Sequence, residues 1–343
     1  MRKARVFVIA FVCFACGTAQ AASWCSDSPE PDAVIQALQH EVNKNTSDQP
    51  RAIEGIHTEG TLPHQGIWAE SVEARKDLPL MRDLALIWRK NHDQMVLNRL
   101  ATLLDAWASI YQPSFNPIDE TQFDSLIDAY AIAQANLPAA TREKVTALLH
   151  AWGTGYIEQM QLNRSSSNSW INNWESHRIK LATMTAMALG DNQLFAAARE
   201  QFYKQLGQNL HPDGESMDFG ERDALHYQVY DLEPLVRAAM AAHTRGEDWM
   251  NMRGENGATL AAGLNWLLPY ARGEKTHQEF VHSTVKFDSQ RADAGMKDYS
   301  GPWDPKKARD LYWTASTLDP RYQPIAQALG NEPAWISACW PTH

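Results

Sequence analysis

The chain has 343 residues, 44% hydrophobic and 21% charged, an ordinary globular composition with length enough for a sizeable core. Its net charge of -10 argues against nonspecific binding to nucleic acid or to an anionic membrane, although one local basic cleft stays compatible with it. No segment beyond the first residues is long and apolar enough to insert into a membrane.

The chain opens with Arg2, Lys3 and Arg5 ahead of a short apolar run, and Ala19-Gln20-Ala21 then supplies small residues for cleavage. Residues 1–21 therefore read as a secretory leader, and the expected location is periplasmic or secreted. Cleavage after Ala21 leaves 322 residues, residues 22–343, carrying -13 and read as one domain. Two cysteines remain, Cys25 and Cys339, one near each end. In an oxidising compartment they are expected to form a disulfide; two separate buried thiols are the alternative.

An opening helix is expected around Pro31 to Leu38, broken by NTSDQP. The Gly-containing loop GIHTEGTLPHQGIW carries His57 and His64, and a helix resumes through DLPLMRDLALIWRK. Apolar residues then recur at helical spacing: Leu97, Leu100, Leu104 and Trp107; Phe123, Leu126, Ile127 and Tyr130; Val145, Leu148, Leu149, Trp152 and Tyr156. Further stripes run through Leu181 and Met184, Leu194 to Leu206, Leu232 and Leu235, and Leu260 to Leu267. LPAATREK, LGDNQ and HPDGES separate them, with Gly190 as a stop and Asp191 or Asn192 as the next cap. Roughly ten to twelve helices with short connections and almost no alternating β-branched runs predict an all-α domain. A toroid of antiparallel helix pairs fits better than a regular solenoid, because no sequence repeat is evident.

Two clusters carry candidate chemistry. In NNWESHRIKL, a helix starting near Asn173 brings Trp174, His177 and Arg178 within about one turn of each other. Asn172 or Asn173 is either an N-cap or a free amide that binds a substrate carboxylate. In MDFGERDALHYQVYDLEPL, His226 and Tyr230 are four residues apart on one helix face, with Arg222 and Tyr227 nearby. A Tyr beside a His and an Arg is a plausible proton-transfer set, and a buried pair with a surface ion pair is the bland alternative. Trp170 or Trp174 is either a sugar platform or core. His57, Arg291, Lys180 and Arg164 are candidate groove residues. No metal-binding or phosphate-loop motif is present, so no cofactor and no metal are expected.

The segment Asn172-Asn173-Trp174, followed about fifty residues later by Arg222 to Leu235 (RDALHYQVYDLEPL), resembles the alginate lyase family of periplasmic and secreted polyuronate lyases. HPDGES and RGENGATLAAGLNWLLPY are similar to flanking parts of that family, and the resemblance is good from Asn168 to Tyr270 and looser elsewhere. It implies an (α/α) toroid with an open groove and cleavage of an anionic polysaccharide by β-elimination, leaving an unsaturated sugar. By resemblance, Asn173 helps neutralise the substrate carboxylate, Tyr230 protonates the glycosidic oxygen, and Arg222 lies at or near a family arginine. Trp174 stands where well-known members have a His, so His177 or His226 would replace it. Where the C5 hydrogen and O4 lie on the same side, as in mannuronate and glucuronate, Tyr230 could do both jobs and either His would hold the carboxylate or tune the Tyr; where they lie on opposite sides, His226 is the first choice of base and His177 the second. Polymannuronate and glucuronan both fit. A noncatalytic sugar-binding protein and a glycoside hydrolase using carboxylates such as Glu175, Glu221 and Asp223 are the competing readings.

Overall fold

The computed structural model describes residues 24–26, 31–45 and 49–340, so the leader lies outside the described residues. Helices α1 (Asp32–Lys44), α2 (Trp68–Ala74), α3 (Asp77–Asn91) and α4 (Gln94–Ile110) come first. Then follow α5 (Asp124–Ala133), α6 (Ala139–Asn163), α7 (Asn173–Leu189) and α8 (Asn192–Asn209). The chain continues with α9 (Met217–Arg222), α10 (Leu225–His243), α11 (Leu260–Ala271) and α12 (Lys286–Asp293), and closes with α13 (Arg309–Ser316), α14 (Gln323–Leu329) and α15 (Ala334–Cys339). Among the described residues there is no β-strand, only two isolated bridges.

The order of packing gives the architecture. Helices α3, α5, α7, α10 and α13 touch in succession and form an inner layer. Helices α4, α6 and α8 pack outside them, and α11 and α14 back α10 and α13. Successive helices thus alternate between layers, as in an (α/α) toroid, and the ring is incomplete between α13 and α3. The Cys25–Cys339 disulfide fastens α15 near that gap, beside α1 and α3. Trp335 of α15 lies under two guanidinium groups, Arg82 at 4.5 Å and Arg237 at 4.9 Å from its ring centre.

Local chemistry sets the helix ends. Asp93, Asp191 and Ser216 cap α4, α8 and α9 by accepting backbone N–H groups, and Gly190 ends α7 in the left-handed conformation. Helix α7 is different from the rest: residues on all its faces are buried, including Glu175, Ser176, His177, Arg178 and Lys180. A helix enclosed on all sides needs a partner for each of these polar groups, and those partners build the site.

The core between α4, α5 and α6 holds an aromatic cluster, with Phe123 and Trp152 edge to face at 4.5 Å. Its polar ends converge on buried Glu120, which accepts from Tyr111 Oη (2.6 Å), Trp152 Nε1 (2.6 Å), Ser114 N (2.7 Å) and Tyr156 Oη. Burial and the Glu120 charge push both phenols up, so they remain donors. The neighbouring Asp119 accepts from Thr58 N (2.7 Å), Glu59 N (2.8 Å) and the His57 ring (2.9 Å). Two adjacent carboxylates thus tie the 57–59 loop to the core.

Candidate active site

Helices α7 and α10 pack closely along the inner layer. Their contact puts the His177 ring 4.5 Å from the Tyr230 ring, centre to centre. His226, one turn before Tyr230, lies parallel to it at 6.1 Å. Tyr230 is thus flanked by two imidazoles, one fully buried and one partly exposed. Burial depresses both: His177 falls well below the usual imidazole range, with Lys180 adding to the effect, and His226 falls to about 4. Both are therefore neutral at pH 7. Burial raises the Tyr230 phenol, against the nearby positive charge of Arg75. Tyr230 is consequently a protonated phenol in the resting protein.

Tyr230 and His177 form part of the wall of a cavity of about 420 Å³ inside the ring, together with Lys180, Glu233, Arg237 and Trp335. Lys180 pairs with Asp124 at 2.9 Å and Arg237 with Asp128 at 2.7 Å. Glu233 makes no ion pair with any described residue; burial and the Asp310 charge push it up to about 8, with Lys180 acting against them.

A second cluster, outside the lining of that cavity, is built on α9, α12 and the start of α10. The Arg222 guanidinium sits 4.0 Å above the Tyr227 ring and bonds Asp288. Arg291 donates to Tyr227 Oη at 3.1 Å. The Tyr299 ring is 6.1 Å from that of His226. Burial and the Asp119 charge raise Glu59, and the Arg291 charge acts against them. Arg75, at the end of α2, is half-buried and makes no ion pair with any described residue, yet its charge acts on both Tyr230 and Asp119. Arg75, Asp119 and Asp218 were not singled out in the sequence. Nothing local marks them; only the ring closure brings them to Tyr230 or Asn173.

The asparagine cluster divides. Asn172 is the N-cap of α7, accepting from Trp174 N at 3.0 Å. Asn173 is 1% exposed, and both its backbone N–H (2.7 Å) and its side-chain amide donate to Asp218. Asp218, buried and raised to about 6, is the acceptor that fixes this amide. The substrate-binding roles expected of Arg178 and Trp170 do not survive the geometry. Arg178 is 3% exposed, stacks on Trp170 at 3.7 Å and bonds the Ser169 carbonyl (2.7 Å) and Glu175 (3.2 Å). Arg164 takes the other Glu175 oxygen at 2.6 Å. A buried glutamate of pKa about 7 needs these cations, so both arginines are committed to the fold. Trp174 is partly buried at the edge of the same cluster, 5.8 Å from Arg178. His57 is half exposed and held by Asp119.

The alginate lyase family model matches residues 24–277. Solved structures with the same fold include an alginate lyase from Bacteroides ovatus, 18% identical, TM-score 0.64, covering 92% of this chain and 94% of that one. A His-to-Ala variant of alginate lyase A1-III complexed with a tetrasaccharide is 17% identical with TM-score 0.60, over 93% of this chain and 95% of that one. Alginate lyase A1-III from Sphingomonas species A1 is 19% identical with TM-score 0.56, over 74% and 79%. No curated protein matches the sequence. The family match spans most of the chain and the described fold is the same toroid, so the chain belongs to the alginate lyase family and is a polysaccharide lyase.

Proposed function

We propose that the protein cleaves a β-1,4-linked uronate polymer, polymannuronate or glucuronan, by β-elimination, in the periplasm or outside the cell. The observation that carries this reading is the placement of Tyr230 between two neutral imidazoles, with Tyr230 and His177 in the cavity wall and the Arg75 charge acting on the phenol. An uncharged phenol is a competent acid for the O4 leaving group, and a neutral imidazole is a competent base. His226 and Tyr230 share one helix face, so they approach a sugar from the same side. That arrangement suits mannuronate or glucuronate, whose C5 hydrogen and O4 lie together, and does not put His226 on the opposite side, as a guluronate substrate would need.

In the proposed step the uronate carboxylate is held by Arg75 and Arg222; the Asn173 amide expected to share this role is sealed against Asp218 instead. Negative charge developing at C5 then spreads into a carboxylate already neutralised. His226 takes the C5 proton, the C4–O4 bond breaks as the C4–C5 double bond forms, and Tyr230 gives its proton to O4. The protonated His226 returns its proton to Tyr230 after the products leave. Arg291 and Tyr227 orient the neighbouring sugar, with His57 at the groove edge.

The test is ultraviolet absorbance of the unsaturated product with purified protein on polymannuronate, polyguluronate and glucuronan. Turnover is expected on the first and last. Tyr230→Phe should lower it by about 10³-fold or more while the thermal melt stays intact. Normal turnover by that variant would refute the assignment of the acid.

A further inference from the structure

His177 touches the essential tyrosine, and its ring is fixed from two sides. On one side Nδ1 lies 2.7 Å from Thr121 Oγ1. That hydroxyl oxygen also accepts from Lys180 Nζ at 3.0 Å, while the Thr121 carbonyl accepts from the same ammonium at 2.6 Å. An ammonium has only hydrogens to offer, so the Thr121 hydroxyl must spend its own hydrogen elsewhere. The one acceptor within reach among the described residues is His177 Nδ1. On the other side, the Tyr230 backbone carbonyl favours a proton on the His177 ring, against the larger effect of burial. In an unbroken helix that carbonyl would receive the N–H of residue 234, but residue 234 is proline and has none. Nε2, the ring nitrogen not taken by Thr121, is buried and has no hydrogen-bond partner among the described residues.

We infer that Lys180, Thr121 and Pro234 fix His177 as the Nε2–H tautomer, making it a donor that positions the Tyr230 turn rather than a proton acceptor in the reaction. The donor order is Lys180 Nζ–H to Thr121 Oγ1, Thr121 Oγ1–H to His177 Nδ1, and His177 Nε2–H toward the Tyr230 carbonyl. Every step agrees with the others; the reverse, Nδ1–H donating to Thr121 Oγ1, would leave the hydroxyl hydrogen without an acceptor and a bare Nε2 toward the carbonyl. Charge around the ring agrees too: Lys180 and Arg178 oppose a second proton on the imidazole, and Asp124, which favours one, is already paired with Lys180. The inference rests on the reading of Tyr230 as the acid. It assigns proton removal to His226 alone and makes Thr121 and Lys180 positioning residues.

The test has one readout independent of activity. Two-bond ¹⁵N–¹H correlation spectra of the resting protein, with His177 assigned by comparison with His177→Gln, distinguish the tautomers. A protonated Nε2 and bare Nδ1 are expected; a protonated Nδ1 or an imidazolium at neutral pH overturns the inference whatever the enzyme does. Thr121→Val removes the hydroxyl and should mix the tautomers and lower kcat about tenfold with KM little changed, and Thr121→Ser should restore both. His177→Gln keeps an N–H donor and should stay within about tenfold of the parent, whereas loss of a general base costs about 10²–10⁴-fold. A His177→Gln protein as inactive as Tyr230→Phe would contradict the donor role. Should Tyr230→Phe itself retain turnover, the reading of the acid fails while the spectra still decide the tautomer.

Discussion

Glu233 offers a quantitative check on the cavity. It lies on α10, one turn beyond Tyr230, in the wall of the ring cavity. Burial and the negative charges of Asp310 and Asp124 raise it from 4.5 to about 8, while Lys180 only partly compensates. Because the native state holds the proton more tightly than the unfolded chain, stability is lost as pH rises from the unfolded value through the folded one. Each unit of pKa difference is about 1.36 kcal/mol, so the loss relative to a permanently neutral side chain is about 1 kcal/mol at pH 5 and about 3 kcal/mol at pH 7. Glu233→Gln is neutral and nearly isosteric. With an unfolding entropy of about 2.1 cal/mol/K per residue, about 3 kcal/mol corresponds to a rise in Tm of about 5 °C for a chain of this size. Thermal melts of both proteins from pH 5 to pH 8 read the effect directly. The two curves should nearly meet at pH 5 and separate steadily above it. A gap that does not depend on pH, or a Gln variant less stable than the parent at pH 7, would show that Glu233 is solvated or paired and that the cavity electrostatics are wrong.

Two further outcomes follow from individual contacts. Asp218→Asn removes the carboxylate that holds both Asn173 donors; since Asp218 is raised to about 6 by burial, its loss should leave Tm at pH 7 unchanged or higher, and a Tm lower by several degrees would show that this pair is net stabilising. Reducing Cys25–Cys339 opens a closure of 314 residues, and the chain-entropy argument gives a loss on the order of 5 kcal/mol, read as a Tm lower by about 8 °C; a melt insensitive to reductant would mean that the packing of α15 alone closes the ring gap.

Much of the fold was legible because apolar stripes at helical spacing report amphipathic helices directly. Leu97, Leu100, Leu104 and Trp107 are all buried on α4, and so are Phe123 just before α5 and Leu126 and Ile127 within it. What the stripes do not encode is which helices face the ring interior; helix count and the missing repeat favour a toroid, and the family resemblance adds the open groove. Helix α7 illustrates the limit. Its polar residues are enclosed on every face, so a one-sided stripe is missing where the fold is most central. The His226–Tyr230 pair was readable from its spacing within one helix. The His177–Tyr230 contact depends on α7 against α10, and the reach of Arg75 to Tyr230 depends on α2 and α3 returning to α10 around the ring. Arg178 misled for a physical reason: a guanidinium near a helix start reads as a ligand for substrate, but here a buried glutamate on the same helix claims it.

An acidic protein that binds a polyanion must keep its own carboxylates from opposing the substrate. Around this site they are silenced in two ways. Asp119 and Asp288 are saturated by donors or cations, while Glu233 and Asp218 are raised far enough to hold protons near neutrality. The second device works only below the raised pKa values. As pH rises from 6 to 8 these groups ionise, the field of Arg75, Arg222 and Arg291 is offset, and KM for the uronate polymer should increase. At an effective dielectric near 20, one added charge about 8 Å from a substrate carboxylate is worth about 2 kcal/mol before salt screening, so a rise in KM of roughly threefold to thirtyfold is expected. The measurement is KM against pH at constant ionic strength, repeated with Glu233→Gln. The variant should flatten the upper part of the curve, because Glu233 is the higher of the two titrations. If KM stays constant over that range in the parent protein, the carboxyls do not reach the substrate electrostatically, and the arginines alone set the charge of the groove.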